Sequence, residues 1–419
     1  MKKKKIIIIA SAIVLAAAIA LTCILLAVRK SNRTIKVVFY NLPESHVGAI
    51  TEILDRHDKL NEDFSFVYIK LDQDRPLDAQ AKKTDIVFTY MGLAADKAVA
   101  SLGEKNMELA AFDQSFLAGT SMTSASLAME KPGVKEGKPS QVPLLYDGYE
   151  LLLSISSMSR AQMEMISSWN DLETFARKSK DTCVSGFAFA GADADSLLGF
   201  ITAMVEAFDG SEACDLVAKT ISEHTGSMDG ILEYLAKEGQ PLNETMNRLA
   251  RWKKEGLLNT EVLSFDKDTL IEVAEKYNTA VLIMPLSEHR RISSTMAKYY
   301  TTLPIHTNET SFYFPSMRWM NTRALVSPVT AMISMTKDNA KKEAVKTLVL
   351  TDSQEYISRK SGIAPTLANC RITDMQADDI RFWIAATSKP VMPLGLSAFD
   401  DKAKKEEFAQ AVRNYIIKN

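Results

Sequence analysis

Polar and aromatic side chains gather where the apolar runs of this chain end. Tyr40 and Asn41 close the run IKVVFYN, Tyr90 closes DIVFTY, and Tyr146, Asp147 and Tyr149 interrupt the stretch QVPLLYDGYELLL. Asp193, Asp195 and Ser196 stand between an apolar segment and a helical one, and Phe314, Arg318, Trp319 and Arg323 crowd the loop SFYFPSMRWMNTR. Carboxylates and amides can hold hydroxyl groups, and flat aromatic faces can cover C–H surfaces. Such side chains offer non-covalent chemistry suited to a small polyol.

Nothing in the chain points to covalent chemistry. There is no Gly-rich phosphate loop and no GxSxG, HExxH, CxxC or EF-hand spacing. The histidines His46, His57, His224, His289 and His306 are scattered, and no two are spaced as metal ligands on one element. Carboxylates are too abundant for their number to single out a glycosidase pair. The sequence therefore reads as a non-enzyme that needs no cofactor and no metal. Cys183, Cys214 and Cys370 lie beyond the N-terminal apolar run, and both one disulfide and three buried thiols fit them.

The elements that must position these groups follow from periodicity. Ile35–Tyr40 is short, apolar and β-branched, as a buried strand is, and Phe64–Lys70 and Thr84–Tyr90 read as further strands. Val47, Ile50, Ile53 and Leu54 recur at helical spacing between the first two, so strand–helix–strand alternation predicts a parallel sheet covered by helices. Gln141–Ser157 reads as two extended runs broken at Asp147-Gly148, where the chain is expected to pass between lobes. Ser168 or Asn170 caps a helix, Phe187–Ala190 is a strand, and Leu197–Phe208 and Leu242–Glu255 are helices. Thr279–Leu286 is a buried strand, while Ala324–Ser334 crosses Pro328 and suits an edge or crossover better than a central strand. Helices at Lys337–Lys360 and Asp401–Ile417 close the chain.

Ile6–Val28 is an almost unbroken apolar run of 23 residues behind Lys2, Lys3, Lys4 and Lys5. As a helix it would span ~34 Å, enough for a ~30 Å hydrocarbon core. It lacks a small-x-small cleavage site, which favours an uncleaved signal anchor over a cleaved signal peptide, with a lipoprotein at Cys23 as the alternative. The basic N-terminus should stay cytoplasmic, giving a single-pass protein of the cell membrane whose body is extracytoplasmic, in a periplasm or at the cell surface. The first 33 residues carry seven basic and no acidic groups, so the other 386 carry −9 of a whole-chain −2. That charge argues against nucleic acid as a partner.

Six segments in order carry a family resemblance. They are Lys36–His57; Asp85-Ile86-Val87-Phe88; Val142-Pro143-Leu144 followed by Tyr149-Glu150-Leu151-Leu152; Ser168-Trp169-Asn170-Asp171-Leu172; Ala280-Val281-Leu282-Ile283; and Lys341-Lys342-Glu343-Ala344-Val345 through Gly362-Ile363-Ala364-Pro365. Over roughly residues 35–415 the chain resembles the extracellular solute-binding proteins of ABC importers, the maltose-binding type (family 1). The usual Gly-Lys before the strand at 280 is replaced by Asn278-Thr279.

The resemblance implies an α/β, two-lobe periplasmic-binding-protein fold (type II-like) behind an N-terminal transmembrane helix. It implies residues 1–33 as the anchor, 34–150 with about 287–335 as the first lobe, and 151–286 with about 336–419 as the second. It further implies a membrane-tethered receptor that captures a small solute, a sugar by preference, by hinge closure and hands it to an ABC permease. A sensory or scaffold protein that kept the fold without transport is the alternative. The ligand contacts implied are Tyr40, Asn41, Tyr90, Tyr146, Asp147, Asp193, Ser196, Trp319 and Arg323. Each has a plainer reading: Tyr40 and Tyr90 as core residues at strand ends, Tyr146 as hinge packing, Asp193 and Ser196 as helix caps, Arg323 as a surface ion pair.

Overall fold

The computed structural model describes residues 34–61, 64–134, 136–163, 166, 168–276, 279–304, 325–386 and 390–419. The apolar segment at 6–28, with the expected anchor and Cys23, lies outside the described residues. Among those described, no helix is long and apolar enough to cross a membrane.

The chain first builds β1 (Thr34–Tyr40), β2 (Ser65–Leu71), β3 (Ile86–Tyr90) and β4 (Gln141–Tyr146), then β5 (Tyr149–Ser154), β6 (Ser185–Ala188), β7 (Thr279–Pro285) and β8 (Tyr300–Pro304), and finally β9 (Val329–Ser334) and β10 (Ala364–Pro365). The helices used below are α1 (Glu44–Asn61), α2 (Leu93–Ala100), α3 (Trp169–Ser179), α4 (Ala194–Asp209), α5 (Asn243–Lys254), α6 (Thr351–Ser361), α7 (Met375–Ala386) and α8 (Lys402–Lys418).

Two sheets form, ordered β10-β4-β9-β3-β1-β2 and β6-β7-β5-β8. β1 is apolar at nearly every position because both of its faces are covered. Its alternation sends Val37 and Phe39 to a layer with Ile50 and Leu54 of α1, and Val38 and Tyr40 to a layer with Ala95, Ala98 and Val99 of α2. The second sheet packs under α3, α4, α5 and α8, with Trp169, Phe187, Phe200, Trp252 and Phe408 fully buried.

Three elements differ from the sequence reading. β9 is not an edge: it lies antiparallel between β3 and β4 in the middle of the first sheet. Pro328 falls just before it, so no ladder donor is lost. The first sheet is consequently mixed, with β1, β2, β3 and β4 running one way and β9 and β10 the other.

The lobe boundaries also shift. β8 pairs with β5, so residues to 304 belong with the second sheet. Ala344, Val345, Leu348, Ile357 of α6, and Ala377 and Ile380 of α7 pack in the first core, whereas Leu394, Phe408, Val412 and Ile416 pack in the second. The apolar stripe of a helix says that it must be covered, not by which sheet, and the expected single block 336–419 is in fact divided. All three described cysteines are free thiols.

The chain passes between the sheets at 146–149, within 304–329, and at 386–391. These passages are hydrogen-bonded to one another. Asp147 N–H donates to Pro328 O (2.9 Å) and Tyr149 N–H to Val326 O (3.1 Å), while Ser327 N–H donates to Val391 O (3.0 Å) and Val391 N–H to Leu325 O (3.0 Å). Gly148 lets the chain pack closely here, since a Cβ would sit 3.0 Å from Ile380 and 3.1 Å from Leu325, and those side chains would have to shift.

Candidate functional site

The ends of β1, β3, β4 and β7 and the N-terminus of α4 converge beside these passages. Asn41 ends β1 with a left-handed φ of +50°, a conformation Asn tolerates better than most residues. Its N–H donates to Leu71 O at 2.9 Å, and the chain turns through Pro43 into α1. Asp193 caps α4, its Oδ1 accepting from Ser196 N–H at 2.8 Å. Between them lies a cavity of about 210 Å³ whose walls include Asn41, Tyr90, Asp147, Tyr149, Lys267 and Glu288.

Asp147 ties the floor together. Its carboxylate accepts from the Tyr90 hydroxyl (2.9 Å), from Ser287 N–H (2.7 Å) and from the Ser287 hydroxyl (2.6 Å). Tyr90 belongs to the first sheet, and Ser287 follows β7 of the second, so one buried group joins both. Burial first, then the Asp147 charge, pushes the Tyr90 hydroxyl well above its ordinary value, which keeps it protonated and donating. Tyr149 is raised likewise, by burial and then by Asp195, Asp193, Asp147 and Glu288. Its hydroxyl donates to the Asp195 carbonyl (3.2 Å). Gly199 leaves room for that ring, since a Cβ there would fall 1.8 Å from the Tyr149 oxygen.

Lys267 is the cation nearest this floor. Its Nζ stands 3.7 Å from Asp193 Oδ1 and 3.7 Å from Glu288 Oε1. Burial would lower its pKa, but Asp193, Glu288, Asp195 and Asp147 outweigh that and raise it, so it stays an ammonium. At the rim, Lys405 Nζ donates to Asp195 Oδ1 and to Gln73 Oε1 (2.6 Å each), and Gln73 Nε2 donates to Asp195 Oδ2 (3.2 Å). Gln73 thus reaches across from the first lobe. Lys402–Asp74 and Lys97–Asp400 also span the lobes. These two are exposed, and such pairs contribute ~0–1 kcal/mol.

The structure brings six of the nine expected residues to this region. Asn41, Tyr90, Asp147, Asp193 and Ser196 line the cavity, and Tyr40 joins Asn41 and Tyr90 in the adjoining hollow beside Gln73 and Lys405. Tyr146 does not line it. Successive side chains of an extended segment point to opposite sides, so where Asp147 faces the floor, Tyr146 is buried in the first core and hydrogen-bonds the Ser124 hydroxyl. Trp319 and Arg323 lie outside the described residues. Lys267 and Glu288 escaped the sequence reading: one follows the helix cap Asp266, the other opens a run of charged residues, and both look there like ordinary solvated groups.

No family model matches this sequence, and no curated protein matches it. Solved structures do. The bacterial solute receptor AcbH, described as having an exclusive substrate preference for β-D-galactopyranose, matches with a TM-score of 0.64 at 10% identity over 92% of this chain and 98% of its own. The fold is that of the two-lobe solute-binding proteins. A chitin oligosaccharide binding protein matches at 0.63 and 12% identity, again over 92% and 98%. MalE3 of T. maritima with maltose bound matches at 0.60 and 12% identity over the same shares. In this fold the cavity occupies the cleft between the lobes.

His46 supports the cleft from behind. It lies in the first turn of α1, fully buried, with Nδ1 2.9 Å from the Thr330 hydroxyl and its ring edge-on to Tyr90. Burial holds its pKa below 6.5, against a smaller upward pull from Asp147. The unfolded chain therefore takes up this proton first as pH falls, and stability drops below about pH 6.5. Urea melts at closely spaced pH values should show that loss, and His46→Asn should remove its share of the slope. An unchanged slope in the variant would exclude His46 as a source.

Proposed function

We propose that this protein is an extracytoplasmic solute-binding protein that captures a small polar solute, a carbohydrate by preference, between its two lobes. In this reading the segment at 6–28 tethers the body to the membrane, and an ABC permease receives the solute. The observation that carries it is the polar cavity at the lobe passages, floored by a carboxylate bonded to both lobes. Ligand that contacts Tyr90, Asp147 or Ser287 would favour one hinge angle over others and so couple binding to closure. The sugars printed in the names of several structural neighbours support the choice of carbohydrate. Binding rather than turnover suits the floor and rim, where two carboxylates are committed to fixed partners: Asp147 to Tyr90 and Ser287, Asp195 to Lys405 and Gln73.

The test is a thermal-shift screen of the full chain in a detergent without a sugar headgroup, against monosaccharides, oligosaccharides, polyols and amino acids. A solute at ~100 times its Kd adds ~2.7 kcal/mol to the folded state, which moves Tm by several degrees. A folded protein whose Tm no solute moves would end this reading and direct the search to a protein partner.

A further inference from the structure

We propose that Lys267, Asp193 and Glu288 recognise adjacent hydroxyl groups of the solute, and that the cavity refuses solutes bearing a carboxylate or phosphate. This rests on the solute-binding reading above. The Lys267 ammonium is centred between two acceptors at 3.7 Å each, beyond the ~2.7–2.9 Å of a charge-assisted hydrogen bond. Among the described residues it donates to neither, so its N–H groups are open to an oxygen in the cavity. Asp193 Oδ1 is occupied by the Ser196 amide, and Glu288 Oε2 is occupied by Arg291 at 2.7 Å. Among the described residues that leaves Glu288 Oε1 beside the open donor, and the second oxygen of Asp193, as uncommitted acceptors.

A hydroxyl both donates and accepts, so one hydroxyl can accept a hydrogen bond from Lys267 while donating one to a carboxylate. Two neighbouring hydroxyls can do so on both sides of the ammonium. A solute carboxylate or phosphate accepts from Lys267 but returns nothing to Asp193 and Glu288. It also enters a poor field. Asp147, Asp193, Asp195 and Glu288 face Lys267, Lys405 and Arg291, and Arg291 is shared with Asp268, so the five acids and three bases carry a net of −2. Glu288 and Lys405 are buried while Lys267, Asp193 and Asp195 are about a third exposed, so this field is partly screened by solvent. The cavity of about 210 Å³ falls below the ~300–1,000 Å³ usual for ligand pockets, which suits one or two sugar rings.

The experiment uses the full chain with galactose, glucose, maltose and myo-inositol as neutral probes, and galacturonate, glucuronate and glucose 6-phosphate as anionic ones. At least one neutral probe should bind, with its anionic analogue at least tenfold weaker. Lys267→Met should weaken the neutral probe at least tenfold while leaving the unliganded Tm in place. Asp193→Asn keeps an effective helix cap but removes one charge, and should narrow the gap between sugar and uronate at least threefold. If Lys267→Met lowers the unliganded Tm, Asp193→Asn decides. An anionic analogue that binds as well as its neutral partner, or a gap that Asp193→Asn does not change, overturns this inference and leaves the solute-binding reading standing. A well-folded protein that binds none of the probes removes both.

Discussion

Glu173→Ala should destabilise the second lobe by about 3–5 kcal/mol, the range expected when one partner of a buried ion pair is removed. Glu173 sits on α3 with its carboxylate buried, and a single oxygen, Oε1, accepts from Arg248 (2.7 Å), Arg251 (3.0 Å) and the Trp252 indole N–H (2.9 Å). All three donors come from α5, so this carboxylate fastens α5 to α3. The Arg248 guanidinium also lies 4.2 Å over the Phe208 ring, and Trp252 stacks on Phe187 at 4.1 Å, so the charge network and the aromatic core share atoms. Glu244 still accepts from Arg248 at 2.9 Å in the variant, which places the cost toward the lower end. For a lobe of this size Tm should fall by roughly 10 °C, and amide exchange should quicken across 168–254 while the first sheet keeps its protection. Glu173→Gln, which retains an acceptor, should cost less than the alanine. A variant within about 1 °C of the parent would mean that α5 is held by apolar packing alone.

Asp147→Ala should act on binding more than on either lobe. Removing the carboxylate strands the buried Ser287 amide and the Tyr90 hydroxyl, and hydrogen bonds to a charged group contribute ~1.5–3 kcal/mol each. About 3 kcal/mol of lost pre-organisation corresponds to roughly a 100-fold rise in Kd for a solute that depends on the relative setting of Tyr90 and Ser287. Asp147→Asn keeps the shape and one acceptor oxygen, and should lie between the two. The check is titration calorimetry of parent, Asn and Ala variants with the solute that emerges from the screen. Equal affinity in all three would show that the lobes close without this group, and would return Asp147 to a purely structural part.

Much of this architecture is legible in the sequence for identifiable reasons. β1 from Val37 and β7 from Ala280 are buried on both faces, so their residues there are apolar and stand out. The caps are legible because a cap is local: Ser168 accepts from Asp171 N–H at 3.1 Å and Asp193 from Ser196 N–H, each three residues along. Asp193 shows that a helix cap can also stand in a cavity wall. What sequence could not supply is what depends on distant partners. Lys267 gains its place only because β7 and α4 bring Glu288 and Asp193 beside it. Tyr146 and Asp147 look alike in sequence, because polar residues at a break do not reveal which of two neighbours faces inward. The segment 324–334 reads as an edge or crossover because of Pro328, which lies one residue outside β9.

The interleaving of the two lobes bears on the order in which the chain can fold. β9, from residues 329–334, is the strand that joins β3 to β4, and α8, from 402–418, seals the second core. As the chain is made from its N-terminal end, the segment to Tyr90 has β1, β2 and β3 but no partner on one side of β3, and the second sheet lacks its covering helix. Neither lobe can reach its full stability until almost the whole chain has been made. Collapse then comes late, with long loops to close and correspondingly slow folding. A lesion near α8 should therefore be felt first as slow-folding chains lost to proteases, before the first sheet is affected.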